Sequence, residues 1–198
     1  MERLMAKVEQ QRKDKVIDES ELRALLLTLD IHLVSGNDNP IANMLRYKGF
    51  DFRDLSIDFR SSPVEGMGGR GHIYKMLVDS IPIDTMRFAI RQDTSRMNFS
   101  MMVQNNKFNP KIVFKSFVNG YIDGDKIGLD AQYFDRQDRK GLDVGVMAAM
   151  CDSGINVHLT PYRPLLGYKS FRLNTDNYVF FGRDSKVRAK VDLVADDG

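Results

Sequence analysis

Ile127-Gly128-Leu129-Asp130-Ala131-Gln132-Tyr133 places an apolar side chain at every second position, and two further runs repeat the alternation: Leu142, Val144, Val146, Ala148 and Met150, then Ile155, Val157 and Leu159. Successive side chains of a strand point to opposite faces, so each run reads as a strand with one dry face and one wet face. The gaps between them hold no room for a crossover helix of a dozen residues. Neighbouring strands must therefore pair antiparallel.

The same rhythm extends in both directions. Toward the C-terminus, Val187, Ala189, Val191 and Leu193 alternate with Arg188, Lys190 and Asp192. Toward the N-terminus lie Ile112 to Val118, with Phe114 inside it, and the row Met97, Phe99, Met101 and Val103. Before these come Ile81 to Ile90, His72 to Val78, then Leu55, Ile57 and Phe59, and first Leu29, Ile31 and Leu33. Turn-rich clusters separate the rows at Gly120, Asp123-Gly124-Asp125, Arg139-Lys140-Gly141, Ser153-Gly154 and Gly182 to Ser185, with a loop over 105–110. Gly36-Asn37-Asp38-Asn39-Pro40 reads as a turn leading into a short helix over Ile41 to Tyr47 that ends at Gly49.

The start departs from the strand pattern as well. Met1, Leu4, Met5 and Val8 have the spacing of one helical face, so the first eighteen residues predict a short amphipathic helix. Asp18 followed by Glu21 has the form of a capping box opening a helical turn through Leu22 to Leu27; the start of a strand is the competing reading. The expectation is a mainly β fold, a curled antiparallel meander with an apolar groove. A helical or linker segment over 1–20 precedes a single elongated β domain over 21–198.

Composition narrows the function. The chain has 198 residues, with 29 Lys and Arg against 27 Asp and Glu, and its formal net charge of +2 does not announce a nucleic-acid partner. Basic and aromatic residues interleave at Tyr162-Arg163, Tyr168-Lys169 and Phe171-Arg172, but the near-equal number of acids weighs against single-strand binding. One cysteine, Cys151, excludes an internal disulfide and any zinc site built from several thiolates. No run approaches the ~18 apolar residues of a membrane-spanning helix, and the N-terminus lacks the apolar core of a signal peptide. The chain ends just after a strand-like run, which is the expectation for an internal fragment of a longer exported protein.

Several motifs invite chemistry and fail its requirements. Gly66-Met67-Gly68-Gly69-Arg70-Gly71 lacks the Lys-Ser/Thr and following helix of a phosphate loop and reads as a flexible hairpin loop. Asp123, Asp125 and Gly128 match a calcium loop until the positions where oxygen ligands are required, which here are Ile127 and Phe134. His32, His72 and His158 have no ligand spacing. Cys151 has no local partner signature, and no serine sits in a Gly-x-Ser-x-Gly elbow. The reading is of a non-enzyme without cofactor or metal. The dry faces must still be covered, by a second sheet, by closure into a barrel, or by curling around an apolar guest. The 12 Phe and 11 Met suit a lining for acyl chains, and they suit ordinary core packing equally.

The stretch from Leu159 to Val179, with Pro161 and Pro164 at a strand end and Asn174, Asp176 and Asn177 opening the next strand at Tyr178, resembles a segment of the TamB-type translocation and assembly module proteins, related to the AsmA-like family. Asn39 to Leu45 and Asp79 to Met86 resemble that family too, and the likeness runs loosely from about Leu22 to the end. The resemblance implies an internal slice of an inner-membrane-anchored envelope protein that crosses the periplasm of a diderm bacterium. Its implied fold is a curled, open-edged, β-taco-like sheet with a hydrophobic interior. Its implied partners are phospholipid or fatty acyl chains and outer-membrane assembly proteins. On that reading the groove is lined by Met97, Phe99, Met101, Val103, Ile112, Phe114, Ile127, Leu129, Ala131, Val144, Val146, Ala148, Ile155, Val157 and Leu159. Moving a chain of about sixteen carbons into water costs roughly 12 kcal/mol at ~0.8 per methylene, and such a lining removes most of that penalty. A second reading is a β-sandwich binding or scaffold module that contacts protein or glycan.

Overall fold

Asp18 settles the choice between helix and strand near the N-terminus. Its carboxylate accepts the Glu21 N–H at 3.0 Å, while Gln11 accepts the Asp18 N–H at 3.0 Å and donates to the Asp18 carbonyl and the Glu21 carboxylate, both at 3.2 Å. Two helices, α1 (Glu2–Asp14) and α2 (Glu19–Ala24), are thereby tied together through one buried glutamine. A third, α3 (Pro40–Tyr47), starts where Asn39 accepts the Ala42 N–H at 3.0 Å and Pro40 supplies a preset φ, and it ends before Gly49 at φ 83°. This computed structural model describes residues 2–14, 18–78, 81–93, 96–106 and 112–196. None of the described helices is long and apolar enough to cross a membrane.

The alternating rows are strands, except that the last one breaks at Val191 and Asp192 into two strands with different partners. In chain order they are β1 (Leu29–Gly36), β2 (Phe50–Asp51), β3 (Asp54–Ser62), β4 (Gly66–Val78), β5 (Ile81–Gln92), β6 (Arg96–Asn105) and β7 (Phe114–Asp123). There follow β8 (Lys126–Phe134), β9 (Lys140–Cys151), β10 (Gly154–Leu166), β11 (Lys169–Leu173), β12 (Tyr178–Gly182), β13 (Val187–Lys190) and β14 (Leu193–Ala195). Among the described residues they form one open antiparallel meander in the order β1-β3-β4-β5-β6-β7-β8-β9-β10-β11-β14, with β2 on β4 and the pair β12-β13 branching from β10. All the described strands belong to this one sheet.

Strand register sorts the side chains into two sheet-wide faces. One row of direct partners runs Phe59, Gly69, Ile90, Phe99, Gly120, Leu129, Val146 and Leu159 across eight strands. A parallel row runs Ile57, Gly71, Phe88, Met101, Val118, Ala131 and Val144. The opposite face carries Asp58, Arg70, His72, Arg87, Ser100, Asn119 and Asp130. The helices all lie on the apolar face. Leu4, Val8, Leu22 and Leu26 gather with Met67, Met97 and Ile122 around a cavity of about 170 Å³, and Ala42 and Leu45 pack with Phe52 on Leu33, Leu55, Ile57 and Ile73.

Two expected turns are strand instead. Gly66 to Gly71 forms the start of β4, the turn falling earlier at Pro63 to Glu65, and Gly120 lies in the middle of β7. Likewise Lys140 and Gly141 already belong to β9. At Gly71 and Gly120, and at Gly128 in β8, the reason is space rather than flexibility, whereas Gly66 takes φ 80°. A Cβ on Gly71 would meet the Phe88 ring at 2.3 Å, one on Gly120 the Phe99 ring at 2.2 Å, and one on Gly128 the Tyr121 ring at 2.2 Å. Each glycine is the direct cross-strand partner of the ring that covers it.

Candidate functional site

The apolar face is the candidate site because little covers it. Only Ala42, Phe52, Leu55 and Leu173 are fully buried apolar residues among those described. The accessible surface is 13055 Å² for a 22.6 kDa chain, whereas a compact protein of that mass exposes about 9,500 Å². The difference belongs to a single-layered sheet. The apolar rows stay half-exposed across β5 to β10, and Leu129 and Met101 are 37% and 39% exposed.

Met97, Phe99, Met101, Val103, Phe114, Ile127, Leu129, Ala131, Val144, Val146, Ala148, Ile155, Val157 and Leu159 share this face by register. Ile112 does not join them: it precedes β7 and is exposed. Phe88, Ile90, Val118 and Val179 belong to the same surface. At about 4.8 Å per strand step, the row from Phe59 to Leu159 is about 34 Å long, roughly twice the depth of one bilayer leaflet. The rings of Phe88 and Phe99 extend over Gly71 and Gly120 on this face.

The motif residues after Leu159 are structural. Between Thr160 and Leu165 the β10 register slips on β9, and Pro161 and Pro164, which have no N–H to donate, fill the slip. Asn177 is 1% exposed; its side chain accepts the Leu159 N–H at 2.7 Å and donates to the carbonyls of Leu159 at 3.3 Å and Asn174 at 3.0 Å. Asn174 exchanges bonds with Asp192, its backbone N–H donating at 3.1 Å and its side-chain oxygen accepting at 2.8 Å, and Asp176 pairs with Lys190. Asp79 and Ser80 lie outside the described residues, as do residues 107–110 of the expected loop.

The other sequence candidates are scattered. His32 hydrogen-bonds Asp58 at 2.5 Å, the His72 ring lies tilted beside Tyr74 with centroids 4.5 Å apart, and His158 contacts the Asn177 carbonyl at 2.6 Å. Gly124 and Asp125 close the β7-β8 hairpin, where Gly124 takes φ 56°. Cys151 is exposed, and hydrogen bonds from Ser153 lower its pKa. Among the described residues, no three His, Cys, Asp or Glu side chains converge as a metal site would need. No family model, curated protein or solved structure matches the chain.

Asp58 on β3 has its pKa lowered through the His32 hydrogen bond with help from Arg70, and Asp176, in the turn between β11 and β12, through Lys190 and then Asn174. A depressed folded-state pKa stabilises the fold above the ordinary value of 3.8 and ceases to do so as pH falls through the lowered value. Asp176→Asn is therefore expected to lower the melting temperature at neutral pH while narrowing the gap to wild type in acid. Melting curves taken on either side of the ordinary carboxylate pKa check this, and a gap that stays constant with pH contradicts it.

Proposed function

We propose that this chain is a lipid-shielding segment of an envelope-spanning protein, carrying phospholipid acyl chains between membranes or supporting outer-membrane protein assembly. The observation that supports it is the continuous apolar surface, in register from β3 to β10 and half-exposed across β5 to β10. Protein interiors are close-packed, so a one-sided apolar sheet calls for an apolar cover. An acyl chain laid across the strands meets Leu129, Ala131, Val144 and Val146 without a hydrogen-bonding group to hold it at one place. Movement along the row is then nearly level in free energy, and a conduit of this kind uses no catalytic residue. The periplasmic location and the anchored parent rest on the family resemblance of the 159–179 stretch.

Native purification followed by mass spectrometry is expected to find phospholipid bound to the protein, and delipidated protein is expected to take up a fluorescent fatty acid saturably. Leu129→Asp and Val146→Asp are each expected to weaken uptake at least about tenfold, since a carboxylate in the row must be desolvated by the incoming chain. The melting temperature of Leu129→Asp should change little because that side chain is already exposed. Absence of both bound lipid and saturable uptake in protein that keeps its strand circular-dichroism signal would overturn the proposal.

A further inference from the structure

The sheet's other face carries a feature that acyl-chain binding does not use. Across β3 to β7, one row of direct partners is Ser56, His72, Arg87, Met102 and Phe117, and the next holds Asp58, Arg70, Ala89, Ser100 and Asn119. Large side chains thus stand around small ones. Ala89 and Ser100 form the floor of a depression of about 600 Å³, with Arg70, His72 and Arg87 on one side and Met102 and Phe117 on the other. Two adjoining depressions of about 410 and 800 Å³ share Ala89 as floor.

Charge on this floor is not balanced. The three depressions are lined by five arginines, Arg60, Arg70, Arg87, Arg91 and Arg96, against Asp30, Asp58 and Asp130. Asp30 is engaged by Arg60 at 3.2 Å, and Asp58, which lines the depression of about 600 Å³, by His32 at 2.5 Å and Arg70 at 3.7 Å. Arg91 is paired with Asp93 at 3.4 Å, which leaves Arg87 and Arg96 as the arginines without a carboxylate partner among the described residues. Arg87 has no carboxylate within ion-pair distance among the described residues; its guanidinium reaches only the Tyr74 hydroxyl, at 3.4 Å. A planar guanidinium with free donors, beside a second arginine and a histidine, matches a tetrahedral oxyanion. The apolar pair Met102 and Phe117 follows directly across the strands from Arg87.

We propose that this depression binds a phosphate group carried on a short apolar stem, the phosphate on Arg87, Arg70 and His72 and the stem over Met102 and Phe117. The site is independent of the acyl-chain surface, which lies on the reverse of the same strands. Hexyl phosphate, inorganic phosphate and hexanol separate the parts of the claim, titrated into the full chain at constant ionic strength and followed by calorimetry. Hexyl phosphate should bind saturably and more tightly than either of the others. Arg87→Gln should weaken hexyl phosphate and inorganic phosphate alike by about tenfold, as loss of one charge-assisted partner does. Met102→Gln should weaken hexyl phosphate and leave inorganic phosphate unchanged. Equal affinity for hexyl phosphate and inorganic phosphate overturns the assignment, as does binding of hexyl phosphate that ignores Arg87→Gln and so belongs to the apolar face. A response to inorganic phosphate no larger than that to chloride at matched ionic strength also overturns it.

Discussion

Asn177→Ala is expected to destabilise the protein by about 3 kcal/mol, because two or more buried backbone groups lose their partners at once. The β12 ladder on β10 ends at Val157 opposite Val179, and two residues further along β10, Leu159 faces no strand on that side. Asn177 fills the place of a strand residue there, its amide accepting the Leu159 N–H and donating to the Leu159 carbonyl. The third bond, to the Asn174 carbonyl, fixes the turn that leads into β12. Alanine leaves the Leu159 N–H and carbonyl facing a site that is closed to water, since Asn177 is 1% exposed, while the Asn174 carbonyl keeps the backbone N–H of residue 177 at 3.2 Å. Asn177→Asp separates the donor from the acceptor role: it keeps an oxygen for the Leu159 N–H and turns a second oxygen toward two carbonyls. It is expected to cost at least as much as alanine at neutral pH and less in acid, where the carboxyl can protonate and donate again. Urea unfolding followed by circular dichroism checks both variants; a loss below about 1 kcal/mol for alanine would mean that water takes over the amide's bonds.

That asparagine also marks where sequence reading reaches its limit. The long strands from Leu29 to Leu159 were legible because period-two alternation is imposed by the backbone itself, and the antiparallel order followed from gaps too short for a crossover, whereas the short β2, β11 and β12 show no alternating row of their own. The shared face of fourteen of the fifteen groove candidates was legible for the same reason: in a meander with regular register, the apolar positions of successive strands fall opposite one another. Ile112 escaped because its place relative to Phe114 fits the alternation while the ladder starts only at Phe114. The glycines misled for an opposite reason. Glycine favours turns when conformational freedom decides, but at Gly71 and Gly120 the deciding quantity is the volume of a ring on the adjacent strand, and no local pattern records it. The depressions on the polar face were equally invisible, since they arise from Ala89 and Ser100 being small beside Arg70 and Arg87, four positions on three strands. Asn174 and Asn177 were recognised as part of a motif, yet their role is to close the sheet where prolines interrupt it.

Gly120→Val is expected to cost about 3 kcal/mol or more, while Gly68→Ala, an alanine placed in the expected glycine loop, is expected to be neutral or to stabilise by up to about 1 kcal/mol. The contrast isolates space as the cause. An added Cβ at Gly120 meets the Phe99 ring at 2.2 Å and the Gly128 carbonyl oxygen at 2.7 Å, whereas one at Gly68 meets nothing within 4 Å. The ring can be moved and the carbonyl cannot without disturbing the β7-β8 ladder. The double variant Gly120→Val with Phe99→Ala should therefore recover part of the loss, with a coupling of about 1–3 kcal/mol between the two sites. Additive single-variant losses would show that Phe99 does not rest on Gly120 and would remove the account of why glycines stand inside these strands. The same pair bears on the apolar surface. With its ring displaced, Phe99 would rise from the sheet into the row between Ile90 and Leu129, so Gly120→Val should hinder acyl-chain uptake even at temperatures where the sheet remains folded. Recovery of uptake in the double variant would tie the flatness of that surface to its capacity to hold a chain.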